Sequence, residues 1–423
     1  ALYNFEMAAV YNFFLAQIVD DQGTNGNVPI YVPDDGKCQG PGCPGPGFDQ
    51  GCSDIAWTTA FPLIAEGLFN HTADLRVLEQ RYPQLLAYTE NLVAVARTRP
   101  DSVADCDRWG DWLPPRSCDT EDVASCPVMP LIAGFSYILG LEAMSRIATN
   151  VGSTSDSSRY TELAADARMG FHRRFWNATV NAYGTDVSWA SFQTLNVPAL
   201  VLDSMPSELH STVMGGLLDD IANRTDFHLA TGAVTSKYLL DVLSENGAHD
   251  VALQLATQKT APSWGYWASQ NATTCWESWD GGASHNHIFL CGGLGQWMWK
   301  YLAGVSPTGL AWDTLRVAPQ IDCQRGPSRV SARLRIPRGY VHVALAASPG
   351  TVELNLTVPQ LASFADVRVP KPCGAASGLV ITESGKPVWS SGSVAGVLVP
   401  RDHGDSIGFN VVSGMYAIAA RSH

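Results

Sequence analysis

The chain has 423 residues, with 27 Lys+Arg against 40 Asp+Glu and a net charge of -13. That acidic balance argues against nucleic acid or an anionic membrane surface as the main partner, because either would need a basic footprint. Hydrophobic residues make up 46% and charged residues 16%, so the chain is globular and long enough for two or three domains.

The first part, residues 1–304, alternates long apolar-periodic segments with Gly/Pro/Asp-rich connections. Its periodicity predicts helices over 2–19, 56–69, 74–97, 128–149, 158–176, 192–203, 206–223, 233–245, 248–258 and 286–303. Helices in succession without interleaved strands describe an all-helical domain built from hairpins. The uncharged runs Val123–Leu141 and Gly281–Trp299 read as buried helix and not as membrane spans, since Pro, Gly, His and Asn interrupt them. Two long loops, 23–54 and 99–126, each carry Cys, which favours pinned, functional loops. From residue 305 to 423 the period changes to two. Val341, Val343 and Leu345, then Val352, Leu354, Leu356 and Val358, alternate with other residues. Further strands are expected at 314–317, 329–336, 379–383, 394–399 and 407–419, which makes a small antiparallel β-sandwich.

The ten Cys contain no Cys-x-x-Cys and fall into groups: Cys38, Cys43 and Cys52; Cys106, Cys118 and Cys126; Cys275 and Cys291; Cys323 and Cys373. The isolated pairs predict bridges Cys275–Cys291 and Cys323–Cys373, and the two loop triplets must share a bridge if all six are oxidised. Sequons stand at Asn70, Asn177, Asn223, Asn271 and Asn355. Even Cys and sequons together favour a secreted or extracellular eukaryotic glycoprotein. Ala1 opens directly on an apolar helix-forming stretch, as a piece of something longer would.

Chemistry concentrates in two segments. Trp264, Trp267, Trp276 and Trp279 surround the carboxylates of Glu277 and Asp280 in a Gly-flanked stretch, and Asp111 lies between Trp109 and Trp112. Apolar walls that stack on a pyranose, beside a carboxylate that activates water or donates a proton, are what sugar cleavage requires. The alternative is a pair of aromatic loops packing on each other, their acids satisfied by backbone. His285 and His287 alternate at a helix start, a poor ligand set, so neither metal nor cofactor is expected.

Thr273-Thr274-Cys275-Trp276-Glu277-Ser278-Trp279-Asp280 resembles the TT-x-WE-x-WD signature of the family 78 α-L-rhamnosidases. Trp109-Gly110-Asp111-Trp112-Leu113 is similar to the family's GDWL loop, Asn286-His287 to its NH step, and Cys52-Ser53-Asp54-Ile55-Ala56-Trp57 to its aspartate-containing loop. The resemblance implies an (α/α)6 barrel, here lacking its first helix, and then the β-sandwich. It also implies inverting release of terminal α-L-rhamnose from glycosides or polysaccharides, so the partner would be a rhamnose-containing carbohydrate. By the same resemblance Glu277 is the general base. Asp54 accepts from sugar hydroxyls, Trp112 contacts the ring, His287 binds a hydroxyl, and Asp111 orients its loop; Trp109, Trp267 and Trp276 complete the substrate-binding set. The family's DxxRxE segment, which carries the general acid, has no counterpart in residues 1–423 and is expected upstream, on another segment or chain. A non-catalytic glycan-binding or structural glycoprotein is the other reading.

Overall fold

The structure, a computed structural model, describes residues 7–33, 52–107, 109–115, 128–184, 191–374, 378–389 and 400–422. Its first part is a helical-hairpin barrel of the (α/α)6 type. In chain order the helices are α1 (Ala8–Asp20), α2 (Ile55–Thr58), α3 (Ala60–Thr72), α4 (Arg76–Glu79), α5 (Tyr82–Ala96), α6 (Met129–Asn150) and α7 (Thr154–Phe175). There follow α8 (Phe192–Leu202), α9 (His210–Asp219), α10 (Ser236–Glu245), α11 (His249–Ala256), α12 (Trp264–Ser269) and α13 (Phe289–Trp297). Chain neighbours pack together, α6 on α7, α8 on α9 and α10 on α11, while α10 also takes α13.

The helix boundaries follow local chemistry. Pro130 opens α6 with its φ already suited to a first turn. The helix that follows is long and apolar enough to cross a membrane, yet most of it is buried in the fold, as a core helix is. On α7, His172, Arg173 and Arg174 fill the last turn, where cations oppose the helix dipole. Arg159 and Arg168 on the same helix pair with Glu90 and Glu142.

Several expected elements are divided. The 74–97 helix breaks at Gln80-Arg81, where Pro83 starts α5 afresh. The 206–223 helix opens in a 3₁₀ turn at Ser207–Leu209 and ends in a π turn, Asp220–Arg224. The 286–303 helix starts at Phe289 because the residues before it pair with 274–277, and it closes in a second π turn, Met298–Leu302. A two-residue hairpin, β1 (Trp176–Asn177) with β2 (Ala182–Tyr183), interrupts the helices.

The second part holds β3 (Val305–Pro307), β4 (Thr314–Val317), β5 (Arg329–Ile336), β6 (Gly339–Ser348), β7 (Thr351–Val358), β8 (Phe364–Pro370), β9 (Val380–Glu383), β10 (Lys386–Trp389), β11 (Arg401–Asp402), β12 (Ser406–Val411) and β13 (Gly414–Arg421). They form a six-stranded sheet, β10-β9-β13-β7-β6-β5, and a five-stranded sheet, β11-β12-β8-β4-β3. One pairing, β4 with β8, is parallel, a local departure from the expected antiparallel sandwich. Between them the chain crosses to the other sheet for the β5–β6–β7 meander, so β8 returns in the direction of β4. The expected strand over 394–399 lies outside the described residues, and the expected 407–419 strand is the pair β12 and β13.

Each part has its own apolar core, one from Leu15 to Tyr301 and one from Ala303 to Ala420. They meet where Trp312, 2% exposed, packs back onto α3 and its indole N–H donates to His71 Nδ1 at 3.3 Å. Disulfides join Cys52 to Cys106, Cys275 to Cys291 and Cys323 to Cys373. The first links the two Cys-bearing loops; Cys38, Cys43, Cys118 and Cys126 lie outside the described residues.

Candidate active site

Glu277 projects from a hairpin-like loop between α12 and α13. Ser263 caps α12 by accepting from the Tyr266 amide at 2.9 Å. Past that helix the chain doubles back: the Glu277 amide donates to Ser284 O and the His287 amide to Cys275 O, both at 2.8 Å, with the Thr274 hydroxyl on His285 O. The Cys275–Cys291 bridge ties this loop to α13. At the turn the Asp280 carboxylate accepts from the Gly282 amide (2.9 Å) and the Ser278 hydroxyl (2.7 Å), and those donors hold its pKa below the usual range. Gly281, at φ +79, permits the close approach of Trp276, for a Cβ there would lie 2.7 Å from the indole.

The Trp residues divide into wall and rim. Trp267 stacks on Trp279 at 5.0 Å, and their indole N–H groups donate to the Trp279 and Thr231 carbonyls. Trp267 is 3% exposed and backs Trp276, which in turn stacks on His285 at 4.3 Å. Trp109 and Trp112 are half-buried and meet edge-on at 4.6 Å.

Two buried aspartates seat the Trp109–Trp112 loop. Asp111, 4% exposed, accepts from the amides of Gly232 (2.7 Å), Val234 and Thr235 (both 2.9 Å), and from the hydroxyls of Thr194 and Thr235. It thereby sits just ahead of the N-terminus of α10, where a negative charge is favoured. Burial pushes its carboxyl up, and the hydroxyl and amide donors oppose that. Gly232 makes the seat possible: a Cβ there would lie 2.0 Å from Asp111 O. Asp54, 5% exposed, caps α2 through the Trp57 amide and accepts from the Trp109 amide at 3.0 Å. With the loop so held, Trp112 Nε1–H donates to Glu277 Oε1 at 3.1 Å, while the Ser284 amide donates to Oε2 at 3.2 Å. Two rigid donors therefore fix the orientation of one half-buried carboxylate.

Of the residues singled out by sequence, Glu277 and Trp112 are in direct contact, Trp109 and Trp276 flank them, and His287 lies on the same loop with its ring edge-on to Phe289. His287 Nδ1 is buried and has no hydrogen-bond partner among the described residues. Asp54, Asp111 and Trp267, grouped on sequence with the substrate-binding residues, are buried; the two acids accept from main-chain amides, Asp111 also from the Thr194 and Thr235 hydroxyls, and the Trp267 indole donates to a main-chain carbonyl. Sequence reasoning missed Trp57, stacked on Phe289 at 5.2 Å, and Asp107, which shares the Trp109 amide with Asp54. The available signal was position: Asp107 directly follows Cys106, and Asp54 stands two residues after Cys52, so each acid lies beside a loop cysteine. Of the sequons, Asn70, Asn223, Asn271 and Asn355 are exposed and Asn177 is half-buried. Among the described residues no group of three His, Cys, Asp or Glu is placed to hold a metal ion.

Comparison with known proteins gives the same frame. Residues 1–302 match the bacterial alpha-L-rhamnosidase six-hairpin glycosidase domain. An alpha-L-rhamnosidase from Formosa agariphila is 25% identical over 381 residues, 86% of this chain and 38% of its own length. One from Streptomyces avermitilis is 28% identical over 331 residues, 76% of this chain and 29% of its own. The chain thus spans about two fifths or less of these curated relatives. The structure of alpha-L-rhamnosidase from Dictyoglumus thermophilum superposes with a TM-score of 0.86 at 28% identity, covering 100% of this chain and 44% of that one. The Streptomyces avermitilis enzyme complexed with L-rhamnose shares the fold, at TM-score 0.79 and 23% identity over 99% of this chain and 37% of that one. With its matched barrel and its Trp-Glu-x-Trp-Asp loop, the chain belongs to the alpha-L-rhamnosidase six-hairpin glycosidase family.

Proposed function

We propose that this chain forms most of the catalytic unit of a glycoside hydrolase that releases terminal α-L-rhamnose from a glycoside or polysaccharide with inversion. The observation that carries the reading is Glu277, held by the Trp112 indole N–H and the Ser284 amide among half-buried aromatic rings. In the proposed reaction Glu277 takes a proton from water as its oxygen attacks C1, and the C1–O bond to the aglycone breaks. Trp112, Trp109 and Trp276 supply apolar rim, and His287 offers a hydrogen-bonding nitrogen to a sugar hydroxyl.

The leaving oxygen needs a proton from a second carboxyl, set about 6.5–9.5 Å from the base in an inverting enzyme. The described acids flanking Glu277 are poor candidates. Asp54, Asp111 and Asp280 each accept from main-chain amides, and Asp107 has Oδ1 on the Trp109 and Gly110 amides and lies beside Asp54. By the family resemblance the proton donor belongs to the DxxRxE segment, and it is read as lying upstream of residues 1–423. The three disulfides and the exposed sequons support a secretory route.

The test is hydrolysis of aryl and alkyl α-L-rhamnosides by the full-length protein, with the first-formed anomer followed by NMR. Glu277→Gln should lower kcat by ~10²–10⁴-fold, since the amide keeps the size but cannot take the proton. Residues 1–423 alone should act only on activated aryl rhamnosides. Full activity of this chain on an alkyl rhamnoside would place the acid within it, and retained activity in Glu277→Gln would remove the assignment of the base.

A further inference from the structure

We propose that Asp107 is held as a neutral carboxylic acid that donates its proton to Asp54, and that this shared proton makes Asp107 a positioning residue for the Trp109–Trp112 loop. The juxtaposition is built by the chain. The Cys52–Cys106 bridge and the Ile55 amide, which donates to Cys106 O at 2.9 Å, draw the two segments together. One amide then serves two acids: Trp109 N–H lies 3.0 Å from Asp54 Oδ2 and 2.9 Å from Asp107 Oδ1. Asp107 Oδ1 also accepts from the Gly110 amide at 2.8 Å.

Two carboxylates that converge on one N–H cannot both ionise cheaply, because like charges in contact disfavour each other and neither is well hydrated. The leftover atom points the same way. Asp107 as a residue is partly exposed, but its Oδ2 is sealed from solvent and has no partner among the described residues. An oxygen in that position is satisfied if it carries a hydrogen and donates. Asp54, on the other side of the shared Trp109 N–H, is the neighbouring acceptor, and burial, with the Asp54 charge, pushes the Asp107 carboxyl well above the ordinary range. From α5, Tyr88 faces the pair, its hydroxyl 3.0 Å from Thr58 Oγ1; burial raises it to about 12, so it stays neutral. Arg108 lies outside the described residues.

The sign follows. A carboxyl with a raised folded pKa contributes fully below the unfolded value and loses that contribution as pH rises through the folded one. Below that value the shared proton is present and the loop is seated. Above it two adjacent carboxylates repel, and Trp109 and Trp112 are freed from their anchor.

The decisive measurement is infrared spectroscopy of the full-length protein at neutral pH, wild type minus Asp107→Asn. A protonated-carboxyl C=O band present in the wild type and absent from the variant is expected. Its absence from folded wild type would overturn the proposal whether or not the protein cleaves rhamnosides. Should that variant fail to fold, the difference is taken against Asp107→Ser: a band that outlasts pH 5 in wild type must be missing from it, and a band that persists in it belongs to another buried carboxyl and overturns the proposal. The activity arm rests on the proposed function. Wild-type kcat/KM should fall about tenfold per pH unit above the pKa read from the infrared band. Asp107→Asn, whose amide donates to Asp54 without titrating, should lack that limb. An unchanged limb in Asp107→Asn would overturn the positioning role.

Discussion

Glu277 illustrates how little of a site's precision comes from the reactive side chain itself. Its orientation is inherited from Trp112 Nε1, 3.1 Å away, and that indole is in turn held by the acids behind it. Trp112→Phe keeps the ring and removes the donor. A hydrogen bond to a charged group is worth roughly 1.5–3 kcal/mol, so kcat of the full-length protein should drop about tenfold or more with KM changed less. Steady-state kinetics on an aryl rhamnoside check this; an unchanged kcat would mean that the Ser284 amide alone orients the base. The motif was legible at this scale because Trp, Glu and Asp are rare neighbours. What it hid was division of labour. Asp54 occupies a motif position that reads as a sugar contact, yet it is buried and accepts from the Trp57 and Trp109 amides, since sequence does not say which acids main-chain amides will claim.

Among the elements, long periodic helices were the readable ones. α6 and α7 lie close to their expected spans because apolar spacing dominates over many turns. Short pieces escaped. α12 has six residues, rich in Trp and Gly, and its Ser263 cap was the signal available. β8 was also missed, although Ala365, Val367 and Val369 alternate inward against Asp366 and Arg368 in plain period-two order. Pairing partners far apart in sequence, such as β4 with β8, leave no local trace. The loop of residues 231–235 is the element on which the site most depends and the one with least sequence character. Asp111→Ala would strand the amides of Gly232, Val234 and Thr235 away from an acceptor, at about 1–3 kcal/mol for each left buried. Urea unfolding should show a loss of roughly 3 kcal/mol or more. A change under 1 kcal/mol would mean water reaches those amides.

At the scale of the whole molecule, barrel and sandwich are coupled through Trp312 and His71. Trp312 donates to His71 Nδ1, so the contact needs that nitrogen unprotonated, and burial holds the His71 pKa below its ordinary value. A base with a lowered folded pKa costs stability as pH falls, because the unfolded chain takes up the proton first, near pH 6.5. The thermal midpoint should therefore fall on acidification below about pH 6.5, and more steeply than in His71→Gln. Parallel curves for the two proteins would show that the contact does not titrate. The sandwich holds only two cysteines, Cys323 and Cys373, and they are joined to each other. No sulfur therefore crosses from one half to the other, whatever the remaining cysteines do. Made as two polypeptides divided at Gly304, the halves would each oxidise without the other, and reassembly would be a matter of noncovalent docking, with Trp312 on the first half's α3 and Trp299 of the first half against the sandwich core. On a non-reducing gel such a split protein would run as two bands.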